Sequence, residues 1–203
     1  MIEPANNLNR SASALETLDA RRSVPVRQLG EPGPDDAALL RMLQSAVRVP
    51  DHGRRVPFRF LRIAGDARHA LGQALAAMTL ERDPTAGDGT IEKDRGRFSH
   101  APLVVAVVAV LDPDDHKIPE IERQHSAGAA CFALLQAAQA MGFGANWLTG
   151  WPAHDPQVRT LLGLGEHERV VGFVHIGTPK MEAPERQRPD PRDLLDDWTG
   201  PQA

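Results

Sequence analysis

The chain has 203 residues, of which 41% are hydrophobic and only 4% aromatic, with no tyrosine and a formal net charge of -4. That length suits a single domain whose core rests on Leu, Val and Ala and needs no disulfide or metal staple. The acidic balance offers no electrostatic footprint for nucleic acid or an anionic membrane, and the longest apolar run, residues 102–111, is too short to cross a bilayer.

Residues 1–13 are expected to form a polar, unstructured extension, followed by one domain over 14–191 and a charged, Pro-rich tail over 192–203. The first residues lack a basic stretch followed by an apolar one, so no secretory signal is read and a cytoplasmic protein is expected. Ser13-Ala-Leu-Glu16 fits a capping box for a short helix with Leu15 and Leu18 on its apolar face, ending at Arg21-Arg22. Residues 30–34 read as a loop, and Asp35 opens a helix carrying Leu39, Leu40, Leu43, Ala46 and Val47 until Pro50 stops it.

Phe58 to Ala64 reads as a strand, and Gly65-Asp66 separates it from a helix with Leu71, Leu75 and Met78 on one side. Residues 82–100, rich in Gly, Asp and Arg, read as a mobile segment with a short helix near Ile91-Glu-Lys-Asp94. Leu103 to Val110 is β-branched almost throughout, the pattern of a strand covered on both faces. The longest helix spans about Glu120 to Met141; its stretch from Ser126 to Ala138 is crowded with small residues, which invites close approach by another helix, and Gly142 is placed to end it in a left-handed conformation. A strand near Ala145 to Leu148, a helix opened by Asp155-Pro156 and a last strand over Val170 to Gly177 complete an α+β or mixed α/β pattern. Cys131, the only cysteine, sits among helical alanines and reads as a small buried hydrophobe.

Several chemistries lack their signatures. The Gly142-x-Gly144 and Gly163-x-Gly165 pairs lack a third glycine, no phosphate loop or Gly-x-Ser-x-Gly elbow occurs, and the eight histidines show no metal-ligand spacing, so no metal site is expected. Three clusters remain. Arg21-Arg22-Ser23 offers two guanidinium forks and a hydroxyl at a helix end, suited to a phosphate, although Arg at a helix C-terminus also favours the macrodipole without any ligand. Arg48 and His52 flank Pro50-Asp51, which by itself is an ordinary helix stop with a local Asp turn. Trp147-Leu148-Thr149-Gly150 ends a strand that can simply be a core strand with a buried Trp.

Taken together, Arg21-Arg22-Ser23, the Arg48-Val-Pro-Asp-His52 segment and the stretch from Gly142 to Gly150 resemble the FMN-dependent nitroreductase family, most closely its small single-domain branch, the YdjA-type NAD(P)H nitroreductases. The resemblance runs from about Ala14 to about Pro191. It implies an α+β nitroreductase-like fold with a central, mainly antiparallel sheet flanked by helices, in an intertwined homodimer whose extended C-terminal segment reaches the partner. It also implies two FMN sites at the subunit interface. Arg21, Arg22 and Ser23 would grip the phosphate and ribityl chain, Arg48 and His52 would reach the flavin held mainly by the other subunit, and Trp147, Leu148 and Thr149 would run past the isoalloxazine ring. The residues from Ala137 to Gly142 match a stretch associated with NAD(P) binding, and Arg186 or Arg188 matches a basic C-terminal residue that reaches the phosphate in relatives but also reads as a solvated tail charge.

The reaction so implied is a ping-pong transfer of hydride from NAD(P)H through FMN to a nitroaromatic, quinone or similar small-molecule acceptor. The flavin carries the chemistry, so no side chain is assigned a catalytic role. Two other outcomes share the same grip: a flavin-fragmenting or dehalogenating relative, and a non-catalytic flavin-binding dimer. The chain departs from the family in having Val56-Pro57-Phe58-Arg59 where many relatives carry Gln-Pro-Trp, and Gly53 where Lys or Ser is common. The departure bears on polar contacts over the flavin and on substrate choice, and leaves the strand intact.

Overall fold

The computed structural model describes residues 7–201. Helix α1 (Asn7–Asp19) and a two-residue strand β1 (Leu29–Gly30) lead to α2 (Asp36–Ala46), β2 (Phe58–Ala64), α3 (Asp66–Arg82) and α4 (Asp88–Arg95). Next come β3 (Leu103–Val110), α5 (Glu120–Ala140), β4 (Gly144–Leu148), α6 (Trp151–His154), α7 (Pro156–Leu161) and β5 (Glu168–Pro179). Every strand pair is antiparallel: β3 lies between β2 and β5, while β4 and β1 pair with β5 over its later residues. The expected α+β architecture is therefore present, with β5 as the strand shared by three partners.

The sheet is covered on both sides, as the β-branched run predicted. Leu103, Val105, Val107 and Ala109 point into one core with Leu39, Met42 and Ala46 of α2 and Ala127, Ala130, Cys131 and Leu134 of α5. Val104, Ala106 and Val108 point into the other, with Leu71 and Leu75 of α3, Phe98, Val158 and Phe173. Alternation along one strand thus divides the core in two. No helix among the described residues is long and apolar enough to cross a membrane.

Helix ends follow the local chemistry of the sequence. The Asp35 carboxylate accepts from Ala38 N at 2.7 Å and caps α2, and Asp155 caps α7 by accepting from Gln157 N and Val158 N. Gly142 closes α5 at φ 85°, with Gly142 N donating to Gln139 O at 2.9 Å and Phe143 N to Ala138 O at 3.0 Å. That paired arrangement satisfies two carbonyls which the helix leaves open.

Five expectations are corrected. Helix α1 begins at Asn7, so Ser13 lies inside it, its carbonyl accepting from Thr17 Oγ1, and caps nothing. Residues 7–13 are therefore not an unstructured extension, and residues 1–6 lie outside the described residues. On α2 the buried face is Leu39, Met42 and Ala46, whereas Leu40 (59%) and Val47 (51%) are exposed. Residues 82–100 are packed: Phe98 and Asp94 are buried, and α4 approaches α3 so closely that a Cβ on Gly72 would stand 2.0 Å from Arg95 O. Last, Ser126, Ala127, Ala130, Ala137 and Ala138 are buried within their own chain, so most of the small-residue surface serves the internal core. The stripe of α5 that stays open is narrower, formed by Ile121, His125, Gly128, Ala129 and Phe132.

Candidate functional site

Residues 21–24 leave α1 and lie against the start of β4. Val24 N donates to Ala145 O at 3.1 Å, Asn146 Nδ2 to Val24 O at 2.9 Å, and Gln139 Nε2 to Arg22 O at 2.5 Å. The end of α5 and the first residues of β4 thereby fix the backbone that carries the arginines. Arg21 Nη1 donates to Ser23 Oγ at 3.1 Å, bringing fork and hydroxyl together. Arg22 Nη1 donates to the Asp19 and Arg21 carbonyls, as the helix-end reading predicted, and its other arm pairs with Glu185. The helix-end reading of this arginine is realised, and its second arm is held by a carboxylate of the same chain.

The C-terminal segment returns to the same corner. Arg188 Nη2 donates to Arg21 O at 3.3 Å and lies 3.2 Å from Glu185 Oε1. Arg21, Arg188, Glu185, Leu18 and Asp19 line a groove of about 430 Å³. Beside it a cleft of about 690 Å³ runs between Arg22, Gln139, Gly144 and Lys180. Arg186 makes no comparable side-chain approach: its backbone N–H donates to Glu185 Oε1. Of the two tail arginines, only Arg188 is brought to the Arg21-Arg22-Ser23 corner.

Trp147 and Leu148 close β4, and Thr149 follows it, exposed. The indole of Trp147 fits against β5 because the strand bulges there: Val107 faces Gly172 and Val108 faces Val170, leaving Val171 as the extra residue. Its Nε1 lies 3.4 Å from Val171 O, and a Cβ on Gly172 would stand 1.9 Å from that nitrogen. Gly150 then turns the chain at φ 83° into α6.

A brace behind this turn carried no motif in the sequence. Asp94, 3% exposed, accepts from the Trp151 indole at 3.2 Å, from Thr79 Oγ1 at 2.8 Å and from Arg97 Nε at 3.0 Å. Burial alone would raise its pKa; the bonds from Arg97, Thr79 and Trp151 outweigh burial and hold it below the ordinary carboxylate value. The Arg82 guanidinium lies 4.4 Å over the Trp151 ring and bonds Asp155 at 2.6 Å. Only the adjacency of Trp151 to the Trp147-to-Gly150 segment hinted at this brace.

Arg48 and His52 stand elsewhere. Arg48 is exposed just beyond α2, and His52 Nδ1 lies 2.7 Å from Glu122 Oε2 in the first turn of α5. Asp51 accepts from Arg55 N at 3.0 Å and Val56 N at 2.7 Å, holding a turn in which Gly53, Arg54 and Val56 have φ of 68°, 52° and 50°. Positive φ at a β-branched residue is strained, and the Asp51 bonds stabilise it. Glu122 and Gln139 mark the two ends of α5, 17 residues or about 25 Å apart at 1.5 Å per residue. A single chain therefore does not join Arg48 and His52 to Arg21, Arg22 and Ser23.

Two further features take no part in these clusters. A cleft of about 550 Å³ between the start of α5 and α6–α7 is lined by His125, His154, Asp155 and Arg159 and contains no predicted site residue. Cys131 is fully buried, and burial pushes its thiol up, away from the reactive thiolate.

The profile of the nitroreductase family matches residues 18–178. The NAD(P)H nitroreductase-type protein YdjA of Escherichia coli strain K12 is 36% identical over 170 residues, covering 84% of this chain and 90% of its own. Among solved structures, a nitroreductase-like family protein from Bacillus cereus superposes with a TM-score of 0.76 at 23% identity, covering 92% of this chain and 96% of its own. A nitroreductase with bound FMN from Bacteroides fragilis superposes at 0.66 and 21% identity, covering 91% and 97%.

Proposed function

Because the chain belongs to the nitroreductase family of oxidoreductases, we propose that it is an NAD(P)H-dependent FMN oxidoreductase acting on a nitroaromatic, quinone or similar small acceptor. The observation that carries this reading is the convergence of Arg21, Arg22, Ser23 and Arg188 from the two ends of the domain beside β4. Three guanidinium groups and a hydroxyl form a donor set that suits a phosphate monoester. From Asn146 to Thr149 the strand advances about 10 Å, a length an extended ribityl chain can follow from the corner toward the Trp147-Leu148-Thr149 end. The residues present therefore fit FMN, and the bound FMN in the Bacteroides relative supports the same cofactor here.

When bound, the flavin supplies the redox chemistry, taking hydride from NAD(P)H and passing electrons to the acceptor in alternating half-reactions. The protein's part is to hold and orient. Arg21, Arg22, Ser23 and Arg188 anchor the phosphate, and Trp147, Leu148 and Thr149 present backbone and hydroxyl groups along the ring. Arg48 and His52, lying at the far end of α5, serve the site of a second subunit in a homodimer. The open α5 stripe around Ala129 and Phe132 is the surface available for that pairing.

The test is direct. Purified protein should be yellow or take up FMN, release it on denaturation, bleach with NADH or NADPH under anaerobic conditions and recover its colour with a nitroaromatic or quinone. A protein that binds no FMN would rule the reading out, and one that binds FMN without bleaching would leave a non-catalytic flavin carrier.

A further inference from the structure

The anion corner is already filled by an anion from the same chain. Both carboxylate oxygens of Glu185 are engaged: Oε2 pairs with Arg22 Nη2, and Oε1 lies 3.2 Å from Arg188 Nη2 and accepts from Arg186 N at 2.9 Å. Arg22 and Arg188 are the guanidinium groups assigned above to the phosphate. The Glu185 carboxylate thus takes two guanidinium donors and a backbone N–H, the donor types a phosphate oxygen seeks.

The chain delivers this carboxylate with little freedom upstream and more downstream. Ala183, two residues earlier, is buried in a small cluster with Val24, Leu29 and Ala101, which anchors the segment against the chain that leaves the arginines. Residues 182–190 have no regular secondary structure, and Glu185 itself is half exposed. No helix or sheet hydrogen bond holds Glu185 in place, so the side chain can leave while Ala183 stays docked.

We propose that Glu185 is an affinity- and specificity-setting residue of the corner, a built-in competitor that the cofactor's phosphate must displace from Arg22 and Arg188. This rests on the FMN reading given above. A phosphate monoester has nearly two charges and three acceptor oxygens against one charge and two oxygens for the carboxylate, so it wins the exchange. The competition lowers the benefit of the phosphate and narrows the preference for FMN over riboflavin, which has no phosphate to place there. A half-exposed ion pair is a modest opponent, so the expected effect is about three- to tenfold in affinity.

The experiment compares the full-length protein with Glu185→Gln in two arms. In the first, flavin fluorescence quenching gives the dissociation constants of FMN and riboflavin; Glu185→Gln should tighten FMN about three- to tenfold and leave riboflavin unchanged. In the second, inorganic phosphate is added during thermal unfolding, and it should raise the midpoint of Glu185→Gln more than that of the wild type. Equal FMN affinity in the two proteins, weaker FMN binding by the variant, or equal phosphate shifts would overturn the proposal. If neither protein binds FMN while phosphate still favours the variant, the flavin reading fails and the competitor role of Glu185 stands.

Discussion

At the scale of single residues, the site depends on what is missing as much as on what is present. Gly172 has no side chain, and that vacancy is where the Trp147 indole lies. Gly172→Ala should push the ring off β5 and cost about 1–3 kcal/mol by overpacking, read by chemical unfolding together with a shift of the Trp147 indole N–H resonance. An unchanged resonance and stability would show that the ring yields freely. The anion reading of the arginine corner came from the family resemblance and not from residue type, since Arg at a helix end is equally served by the macrodipole and by local carbonyls, as Arg22 shows. The resemblance offered Arg186 or Arg188 there without choosing between them, and the occupation of the corner by Glu185 was not legible, because the tail has no periodicity to predict where it returns. Nor did the sequence disclose the positive φ of Arg54 and Val56, which Asp51 enforces through bonds to backbone N–H groups.

Among elements, strands and long helices were the easiest to read and the packed segment around α4 the hardest. The continuous burial of β3 on both faces, the Gly142 stop of α5 and the Asp caps of α2 and α7 follow from local rules. By contrast, α4 is short and polar, and it is held by tertiary partners: Gly72 underneath and Trp151 beside Asp94. Asp94→Ala should leave the Arg97 guanidinium without its carboxylate in a largely enclosed site and destabilise the protein by about 3–5 kcal/mol in urea unfolding. A loss under 1 kcal/mol would mean that the brace is dispensable.

The last strand carries a second buried polar group, His175, 1% exposed, with Nδ1 unpartnered and stacked 5.7 Å from the Phe98 ring. Burial first, then His100 and Arg97, push its pKa down to about 4. Between the ordinary value near 6.5 and 4, the unfolded chain binds a proton that the folded chain does not. Stability contributed by neutral His175 is therefore complete above that window, falls as pH drops through it and levels off below, by about 3 kcal/mol in all. The difference in unfolding free energy between wild type and His175→Gln, followed from pH 7.5 to 4, should show that slope; parallel curves would mean that folding does not lower the histidine's pKa.

For the whole molecule, the decisive length is that of α5. With Arg22 near one end and His52 near the other, about 25 Å apart, the two clusters can cooperate only across two chains. Mixing Arg22→Glu subunits with His52→Asp subunits should then restore one intact FMN site per heterodimer, since both lesions fall together in the other site. If subunits demonstrably exchange and FMN binding does not return, the clusters do not share a site. The sequence showed both clusters but not the distance between them, because separation in space depends on which helix joins them.

The position of β5 also sets a schedule for biosynthesis. Both β1 and β4 pair with β5 alone, and β3 needs it to close the far side of the sheet. Translation delivers β5 after every other strand, so a nascent chain paused before Glu168 has no partner for β4 and no firm backing for the arginine corner. The nascent protein should remain a client of ribosome-associated chaperones until β5 has emerged, and uptake of the proposed FMN should follow translation rather than accompany it.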